Sequence, residues 1–223
     1  MKLAKPRVDI GLNTNNLDAM LAFWQGEAGV AFDHILPIRR GMKQHRHDAN
    51  GSVLKINAYH DPLPDTAPSG YRELLIAREG AARSLRDPDG NAISIVPPGT
   101  HGITQIGIRL KVRDLAAHRH FYTDALGLEE EAPSAFRAGE TLLLLEQSAD
   151  APSDAGMEGK GWRYITFQVF KTDEEHARVV ARGGREAVPP TTLGSTARIS
   201  MVRDPDGNWI EISQRASITG SLE

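Results

Sequence analysis

A glutamate that follows a repeated turn sequence is the first candidate for chemistry in this chain. The sequence Arg-Asp-Pro-Asp-Gly-Asn occurs twice, at residues 86–91 and 203–208. Asp and Pro suit the first two positions of a type I turn and Gly suits the fourth, so each copy predicts a hairpin. The strand after the second copy carries Glu211, whereas the first copy has Ser94 at that position. Glu211 is therefore the predicted proton acceptor of a candidate site.

Strand alternation places further side chains on the same predicted face as Glu211. Successive side chains of a strand point to opposite faces, so Trp209 and Glu211 share one face. Tyr164 and Gln168 are predicted to face the same cup from a second strand, and Arg109 from a third. Arg109 and Gln168 would bind polar groups of a small molecule, Trp209 would pack against its apolar portion, and Tyr164 would donate a proton. The alternative is that these polar groups only satisfy one another.

These residues belong to a longer internal repeat. Residues 8–24 and 104–122 each read as a strand with an Ile-Gly pair, a polar break and an amphipathic helix. Several predicted strands follow in each half. The second half also predicts a helix between Thr172 and Gly183, with a capping box at its start, and no counterpart follows Glu73 in the first half.

Several of these segments resemble one protein superfamily. The segments FYTDALGLEEE (121–131) and GWRYITFQV (161–169), together with the two hairpins, resemble the vicinal oxygen chelate superfamily of glyoxalases, bleomycin-resistance proteins and extradiol dioxygenases. The resemblance implies an α+β fold of paired βαβββ modules, in two tandem halves whose curled mixed sheets form cups. It implies one glyoxalase-like domain over residues 5–97, which lacks one helix, and another over residues 102–214.

The resemblance also implies a divalent metal ion in the cup. Its four ligand positions in the second half are occupied by Gln105, Leu144, Tyr164 and Glu211. None of these is histidine, so the two-histidine, one-carboxylate Fe(II) site of conventional extradiol enzymes is not expected. Gln105 and Glu211 are the predicted ligands of one weakly bound divalent ion, because the neutral side chains in the set contribute little charge.

The first half has a lysine at one of its four matching positions. These positions are Asp9, Lys55, Glu73 and Ser94, and the ammonium ion of Lys55 would exclude a metal. One interpretation is a buried charge cluster that replaces an ancestral metal. The other is a site in which Lys55 binds an anionic substrate and Asp9 or Glu73 is the general base.

The histidines lie away from these positions. His45 and His47 are two residues apart and could chelate a metal, but an exposed edge strand is the favoured interpretation. His118 lies on the predicted helix that starts near residue 115, and is expected to be solvated or interdomain.

Composition limits the classes of function. The chain has 223 residues, a formal net charge of −3 and no cysteine. The charge argues against a nucleic-acid partner, and the lack of cysteine excludes disulfides and is compatible with a reducing cytoplasm. No signal peptide or membrane span is predicted. The expected partner is a small molecule, and a homodimer is left open.

Two classes of function remain open on the sequence. The first is an enzyme that acts on a small organic molecule by isomerase- or lyase-type acid–base chemistry, with a degenerate metal site. The second is a non-catalytic protein that sequesters a small molecule, as bleomycin-resistance proteins do. The polar character of the predicted cup favours the enzyme, and the missing metal ligands favour the binding protein.

Overall fold

The computed structural model describes residues 1–222, which form fifteen strands in two mixed sheets. The strands are β1 (Asp9–Thr14), β2 (Ala31–Arg39), β3 (Met42–Ala49), β4 (Ser52–Tyr59), β5 (Tyr71–Ala77), β6 (Arg83–Arg86), β7 (Ala92–Val96), β8 (Ile106–Val112), β9 (Glu129–Ala132), β10 (Ala135–Ala138), β11 (Thr141–Gln147), β12 (Gly161–Gln168), β13 (Arg185–Leu193), β14 (Ala197–Arg203) and β15 (Trp209–Arg215). The larger sheet has the order β13-β14-β15-β12-β1-β4-β3-β2, and the smaller sheet has the order β6-β7-β5-β8-β11-β10-β9. The predicted α+β fold with two mixed sheets is confirmed.

The helices are short and few. They are α1 (Leu17–Ala22), α2 (Leu115–His120), α3 (Thr172–Ala181) and α4 (Ala216–Thr219), and α1 and α2 each continue into a π-helical turn, Phe23–Glu27 and Phe121–Ala125. The predicted helix after residue 172 is confirmed as α3, and β5 leads to β6 without a helix, as expected. None of the helices within residues 1–222 is long and apolar enough to cross a membrane.

Each sheet combines strands from both halves of the sequence. β1 pairs antiparallel with β12, and this pair joins the first module of the chain to the last. β5 pairs with β8 in the same way and joins the two middle modules. The prediction that each half builds its own cup is therefore wrong. The internal repeat identifies the modules, but it does not show which module supplies the neighbouring strand.

The apolar core lies between the sheets and the helices. Ile10, Ile56 and Ile212 are almost completely buried in one continuous cluster that also contains Trp24 of the first helical segment and Ile108 of the smaller sheet. Side chains of alternate residues on β1, β4 and β15 point away from this cluster. The core therefore fixes the register of the strands that present Gly11, Lys55 and Glu211 to the opposite face, since a slip of one residue would exchange the two faces.

The second repeated turn is anchored by a buried histidine. His118 is completely buried, with Nε2 3.4 Å from Asp204 Oδ2 and 3.6 Å from Asp206 Oδ2, while its Nδ1 is 2.7 Å from the carbonyl oxygen of Asp114. Burial alone would lower the pKa of His118, but its interaction with Asp204 raises it above the ordinary value. The expectation that His118 is solvated is therefore wrong, because α2 packs directly on the turn.

Candidate functional site

A cavity of about 410 Å³ lies on the face of the larger sheet opposite the core. Its charged lining residues are Arg46, Lys55, Glu211 and Arg215, and its apolar lining includes Leu36, Ile38, Met42, Leu193, Ile199 and Met201. Leu36 and Leu193 belong to the two edge strands, β2 and β13, so the sheet curls around the cavity. The volume is typical of sites for small molecules. We call this cavity the Lys55 cup.

A lysine and a glutamate face each other in the Lys55 cup. The Nζ atom of Lys55 donates a hydrogen bond to Thr166 Oγ1 at 2.6 Å and lies 3.4 Å from each carboxylate oxygen of Glu211. The side chains of Lys55 and Glu211 are 3% and 12% exposed. Burial lowers the pKa of Lys55 below its ordinary value, and the charges of Glu211 and Asp9 oppose this shift. We infer that these two carboxylates keep Lys55 in its ammonium form.

The carboxylate of Asp9 lies beneath the cup lining and stabilises the positive charge of Lys55. Asp9 is fully buried, and it accepts hydrogen bonds from Lys5 Nζ at 2.7 Å, from the Val53 N–H at 2.8 Å and from Gln168 Nε2 at 3.0 Å. Burial alone would raise the pKa of Asp9, but the positive charges of Lys5 and Lys55 hold it below its ordinary value. Gln168 therefore supports Asp9 and does not line the cup, which corrects its predicted contact with a ligand.

The hydroxyl group of Tyr164 is held by a chain of amide side chains. Its oxygen accepts hydrogen bonds from Gln44 Nε2 and Asn57 Nδ2, both at 3.3 Å, and Gln44 also donates to Asn57 Oδ1. Asn57 in turn donates to Asn13 Oδ1 at 3.0 Å. Burial, reinforced by the charge of Glu211, raises the pKa of Tyr164 well above its ordinary value. Tyr164 keeps its proton and donates it to no residue within 1–222, so this proton is available to a molecule in the cup.

A glycine makes room for the Tyr164 ring. Gly11 lies beside Tyr164 on β12 and Lys55 on β4. A Cβ atom at Gly11 would lie 2.2 Å from Cε1 of Tyr164, which is far inside van der Waals contact. The Nζ atom of Lys55 lies 5.1 Å from the centre of the same ring, within the range of a cation–π interaction. The Ile-Gly pair of the repeat is therefore part of the site.

Two residues predicted to act with Glu211 lie in the other sheet. Arg109 is on β8, and its Nε donates a 2.8 Å hydrogen bond to Glu73 Oε2. Gln105 immediately precedes β8, and its carbonyl oxygen accepts hydrogen bonds from the Ala77 N–H and from Asn50 Nδ2. The predicted grouping of Arg109 with Glu211 and the predicted metal pairing of Gln105 with Glu211 are both wrong. The reason is that β8 belongs to the smaller sheet and β15, which carries Glu211, belongs to the larger sheet.

Trp209 also lies outside the lining of the Lys55 cup. Its Nε1 donates a 2.8 Å hydrogen bond to the carbonyl oxygen of Ala155, and the guanidinium group of Arg203 stacks 4.0 Å from the ring centre. These contacts hold the indole ring against the loop that precedes β12. Trp209 shares a strand face with Glu211, as predicted, but the loop covers it, so its predicted role in ligand packing is wrong.

The residues around Glu211 do not fit a divalent metal ion. The register places Asp9, Thr166 and Glu211 side by side, so Thr166 occupies the position predicted for Tyr164 as a metal ligand. Lys55 Nζ lies between Thr166 Oγ1 and the Glu211 carboxylate, and a positive ammonium group there repels a cation. Within residues 1–222, no group of three His, Cys, Asp or Glu side chains could hold a metal.

The smaller sheet forms a wider and more open site. We call it the Arg109 groove; it has a volume of about 1060 Å³ and its lining includes Glu73, Arg86, Arg109, Lys111 and Glu146. Glu73 Oε1 also accepts a 2.6 Å hydrogen bond from Ser94 Oγ. The predicted cluster of Asp9, Lys55 and Glu73 is therefore divided between the two sites, with Glu73 in the groove.

Two arginines of the Lys55 cup were missed from the sequence. Arg46 lies directly opposite Lys55 in the β3–β4 hairpin, and Arg215 ends β15. The hairpin turns at Asn50-Gly51, where both residues have positive φ angles of 55° and 81°. An Asn-Gly turn between alternating strands is a strong hairpin signal that fixes the register. The Asn50-Gly51 turn in the sequence was therefore sufficient to predict that Arg46 lies next to Lys55.

His45 and His47 are not on an exposed edge. Both are buried on β3, which lies between β4 and β2. Alternation directs them away from the Lys55 cup, and His47 Nε2 lies 3.2 Å from Gln25 Nε2 and packs against Phe32. The expectation of an exposed strand is wrong because β2 covers β3.

Comparisons with known proteins agree with this architecture. Residues 102–212 match the family profile described as the Glyoxalase/Bleomycin resistance protein/Dioxygenase superfamily. A point mutant of glyoxalase I from Zea mays has a similar structure, with a TM-score of 0.77, 13% identity and coverage of 100% of this chain and 96% of that chain. Another structure of glyoxalase I from Zea mays gives a TM-score of 0.72 at 14% identity, with coverage of 93% and 92%. No curated protein matches the sequence.

The profile match and the shared fold define the class. The chain belongs to the vicinal oxygen chelate superfamily, as its sequence motifs predicted. At 13% identity, the likeness to glyoxalase I concerns the fold.

Proposed function

We propose that this protein is an enzyme that acts on a small organic carbonyl compound by acid–base chemistry in the Lys55 cup. The observation that carries the proposal is the hydroxyl group of Tyr164, which accepts two amide hydrogen bonds and has its own proton free for a ligand, beside the buried Lys55–Glu211 pair. A proton donor, a cation and a carboxylate therefore converge on one cavity whose walls are largely apolar.

In the proposed reaction, Glu211 removes a proton from the carbon atom next to the carbonyl group. The electrons of the broken C–H bond form a carbon–carbon double bond, and negative charge develops on the carbonyl oxygen. The ammonium group of Lys55 and the hydroxyl group of Tyr164 would donate hydrogen bonds to that oxygen. Such donors are most effective where water is excluded, because the local dielectric constant is low.

Two outcomes complete this chemistry with the same groups. In an isomerisation, the substrate has a second double bond conjugated with the enolate, and Glu211 returns the proton to the far carbon of this dienolate. In a lyase reaction, the enolate expels a group from the carbon β to the carbonyl; that group leaves with its bonding electrons and takes the proton from Glu211. No step requires a metal ion, because Lys55 supplies the positive charge. The cation in the cup thus replaces the degenerate metal site.

A second candidate function is supported by the apolar lining. Ile38, Met42, Ile199 and Met201 surround the polar groups and would cover the carbon skeleton of a bound molecule. A protein that only sequesters such a molecule needs this surface and no proton transfer. The two candidates differ in one respect, since only the enzyme changes the ligand.

Deuterium exchange tests the proposal because it detects the first proton transfer, whatever product follows. The protein is incubated in D₂O with a panel of small ketones, keto acids and aldehydes, and NMR follows the loss of the proton next to the carbonyl group. We expect exchange of at least one compound by the wild type and a loss of about 100-fold or more in Glu211→Gln, as removal of a general base requires. Glu73→Gln in the Arg109 groove is the matched control. A panel that binds but does not exchange supports sequestration.

The cellular setting is part of the same proposal. The chain has no cysteine, which is compatible with a reducing cytoplasm. A small molecule is the proposed partner. A homodimer is an expectation that sedimentation of the purified protein tests.

A further inference from the structure

The Lys55 cup carries an excess of positive charge that the proposed reaction does not use. Three cationic residues line it, Arg46, Lys55 and Arg215, against one anionic residue, Glu211. The difference is two positive charges, whereas the whole chain has a formal net charge of −3. Asp9 lies beneath the lining, where Lys5 balances its charge. A cavity with a positive charge attracts anions, even when the protein as a whole is negatively charged.

Arg46 is buried without enough partners. It is 5% exposed, and its Nη1 donates a 2.8 Å hydrogen bond to Gln44 Oε1. Its Nε is buried and has no hydrogen-bond partner among residues 1–222. A buried donor without a partner destabilises the folded chain, and more so when the group is charged. An anionic ligand in the cup would remove this destabilisation.

Arg215 faces the same region from the opposite side of the curled sheet. It is half-buried, and its guanidinium group makes no hydrogen bond or ion pair with the described part of the chain. Burial lowers the pKa of Arg215, as does the positive charge of Arg46, whereas the carboxylates of Glu211 and Asp9 act in the opposite direction. The two guanidinium groups repel each other, and an anion between them would offset this repulsion.

We propose that the Lys55 cup selects an organic dianion, one of whose acidic groups binds between Arg46 and Arg215. Two negative charges match the surplus of two positive charges. Lys55 binds either the second acidic group or the carbonyl oxygen of the substrate. The apolar residues cover the carbon skeleton. This inference names the substrate class of the proposed enzyme and therefore rests on the proposed function.

Three probes with the same aromatic skeleton separate charge from shape. Calorimetry compares phenylsuccinate, a dianion, with hydrocinnamate, a monoanion, and with the neutral dimethyl ester of phenylsuccinate. We expect phenylsuccinate to bind at one site per chain, hydrocinnamate to bind about 10-fold more weakly, and the diester to show no saturable binding. The factor corresponds to about 1.4 kcal/mol for one lost charge-assisted contact. Equal affinity for the diester, or no saturable binding of phenylsuccinate in the millimolar range, would overturn the proposal.

Variants locate the site of the acidic group. Arg46→Gln and Arg215→Gln should each weaken phenylsuccinate binding about 10-fold or more, because each removes a charge-assisted hydrogen bond to the acidic group. Arg46→Lys keeps the charge and should recover part of the affinity, which shows that a loss in Arg46→Gln does not come from misfolding. Arg109→Gln, the matched change in the other sheet, should leave the affinity unchanged. Unchanged affinity in both Arg46→Gln and Arg215→Gln contradicts the proposed position.

The failure of this inference differs from the failure of the proposed function. If dianions bind through the two arginines but no compound exchanges deuterium, the anion site stands and the enzyme proposal fails. If exchange occurs but is indifferent to the charge of the compound and to Arg46→Gln and Arg215→Gln, the enzyme proposal stands and the dianion proposal fails.

Discussion

The two sheets each place a cation beside a carboxylate, but in different surroundings. In the Lys55 cup, Lys55 and Glu211 are 3.4 Å apart, and their side chains are 3% and 12% exposed. In the Arg109 groove, Arg109 and Glu73 are 2.8 Å apart, and their side chains are 33% and 19% exposed. The shorter contact therefore lies in the more exposed pair. Distance alone does not distinguish a functional pair from a structural one.

Burial and the remaining partners make the difference. In the Arg109 groove, Glu73 is also hydrogen-bonded by Ser94, and solvent screens the charges of the pair. In the Lys55 cup, the carboxylate of Glu211 accepts hydrogen bonds only from Lys55 within residues 1–222, and the walls are apolar. Charges in such a cavity interact strongly with any ligand. The comparison therefore assigns the proposed chemistry to the Lys55 cup.

The largest predicted difference between the two sites concerns the loss of the cation. Lys55→Met leaves the largely buried carboxylate of Glu211 without its counterion, and we expect it to lower the free energy of unfolding by about 3 kcal/mol. Arg109→Met removes a partly exposed pair and should cost less than about 1 kcal/mol. Urea denaturation of both variants measures the difference. Equal losses would show that the two pairs have the same surroundings in solution.

A smaller difference is predicted for the glycines of the repeated Ile-Gly pair. Gly11→Ala would push the ring of Tyr164 out of place, and we expect the rate of deuterium exchange to fall about 10-fold as the oxyanion donor is displaced. Gly107→Ala in the smaller sheet is the control: its Cβ would lie 2.5 Å from Cδ1 of Ile103, away from the Lys55 cup. It should lower stability and leave the exchange rate unchanged. A normal rate in Gly11→Ala would remove Tyr164 from the proposed chemistry.

The smallest predicted effect distinguishes the two repeated turns. The second turn holds His118 against Asp204 and Asp206, whereas in the first turn Asp89 accepts a hydrogen bond from Thr14 Oγ1 at 2.6 Å. The folded-state pKa of His118 is raised above 6.5, so its stabilising contribution is fully present below pH 6.5 and is lost as the pH rises through the raised value.

Chemical denaturation at several pH values measures this contribution. The wild type should lose stability above pH 6.5, relative to His118→Gln, as the histidine loses its proton. Asp89→Asn in the first turn should keep the wild-type pH dependence, because no histidine contacts that turn among the described residues. Parallel stability curves for the wild type and His118→Gln contradict the ion-pair interpretation.

Local signals in the sequence predicted the modules but not their pairing. The hairpins, the Ile-Gly strands and α3 follow from short-range patterns, and all of them are present. The grouping of Glu211 with Arg109 and Gln105 failed because the partner of β12 is β1, about 150 residues away. Long-range pairing depends on which modules pack together, and the repeat makes all the modules alike. The sequence also favoured Tyr164 over Thr166 at the ligand position on β12, which is an error of two residues. Strand alternation cannot exclude this error, because both residues face the same side of β12.

Lys55 was the most informative single residue in the sequence. Its ammonium group was expected to exclude a metal ion, and the structure places it against Glu211, the carboxylate that the resemblance assigned to the metal. The sequence could not show this contact, because the two residues are 156 positions apart. We therefore infer that Lys55 takes the place of the metal ion.

Metal analysis of the purified protein tests whether Lys55 replaces the metal ion. The wild type and Glu211→Gln are equilibrated with Mn²⁺, Zn²⁺ or Mg²⁺, dialysed, and analysed for bound metal by mass spectrometry. We expect the wild type to retain less than one metal ion per chain, with no difference between the two proteins. One equivalent of metal that the wild type retains and Glu211→Gln loses would contradict this inference.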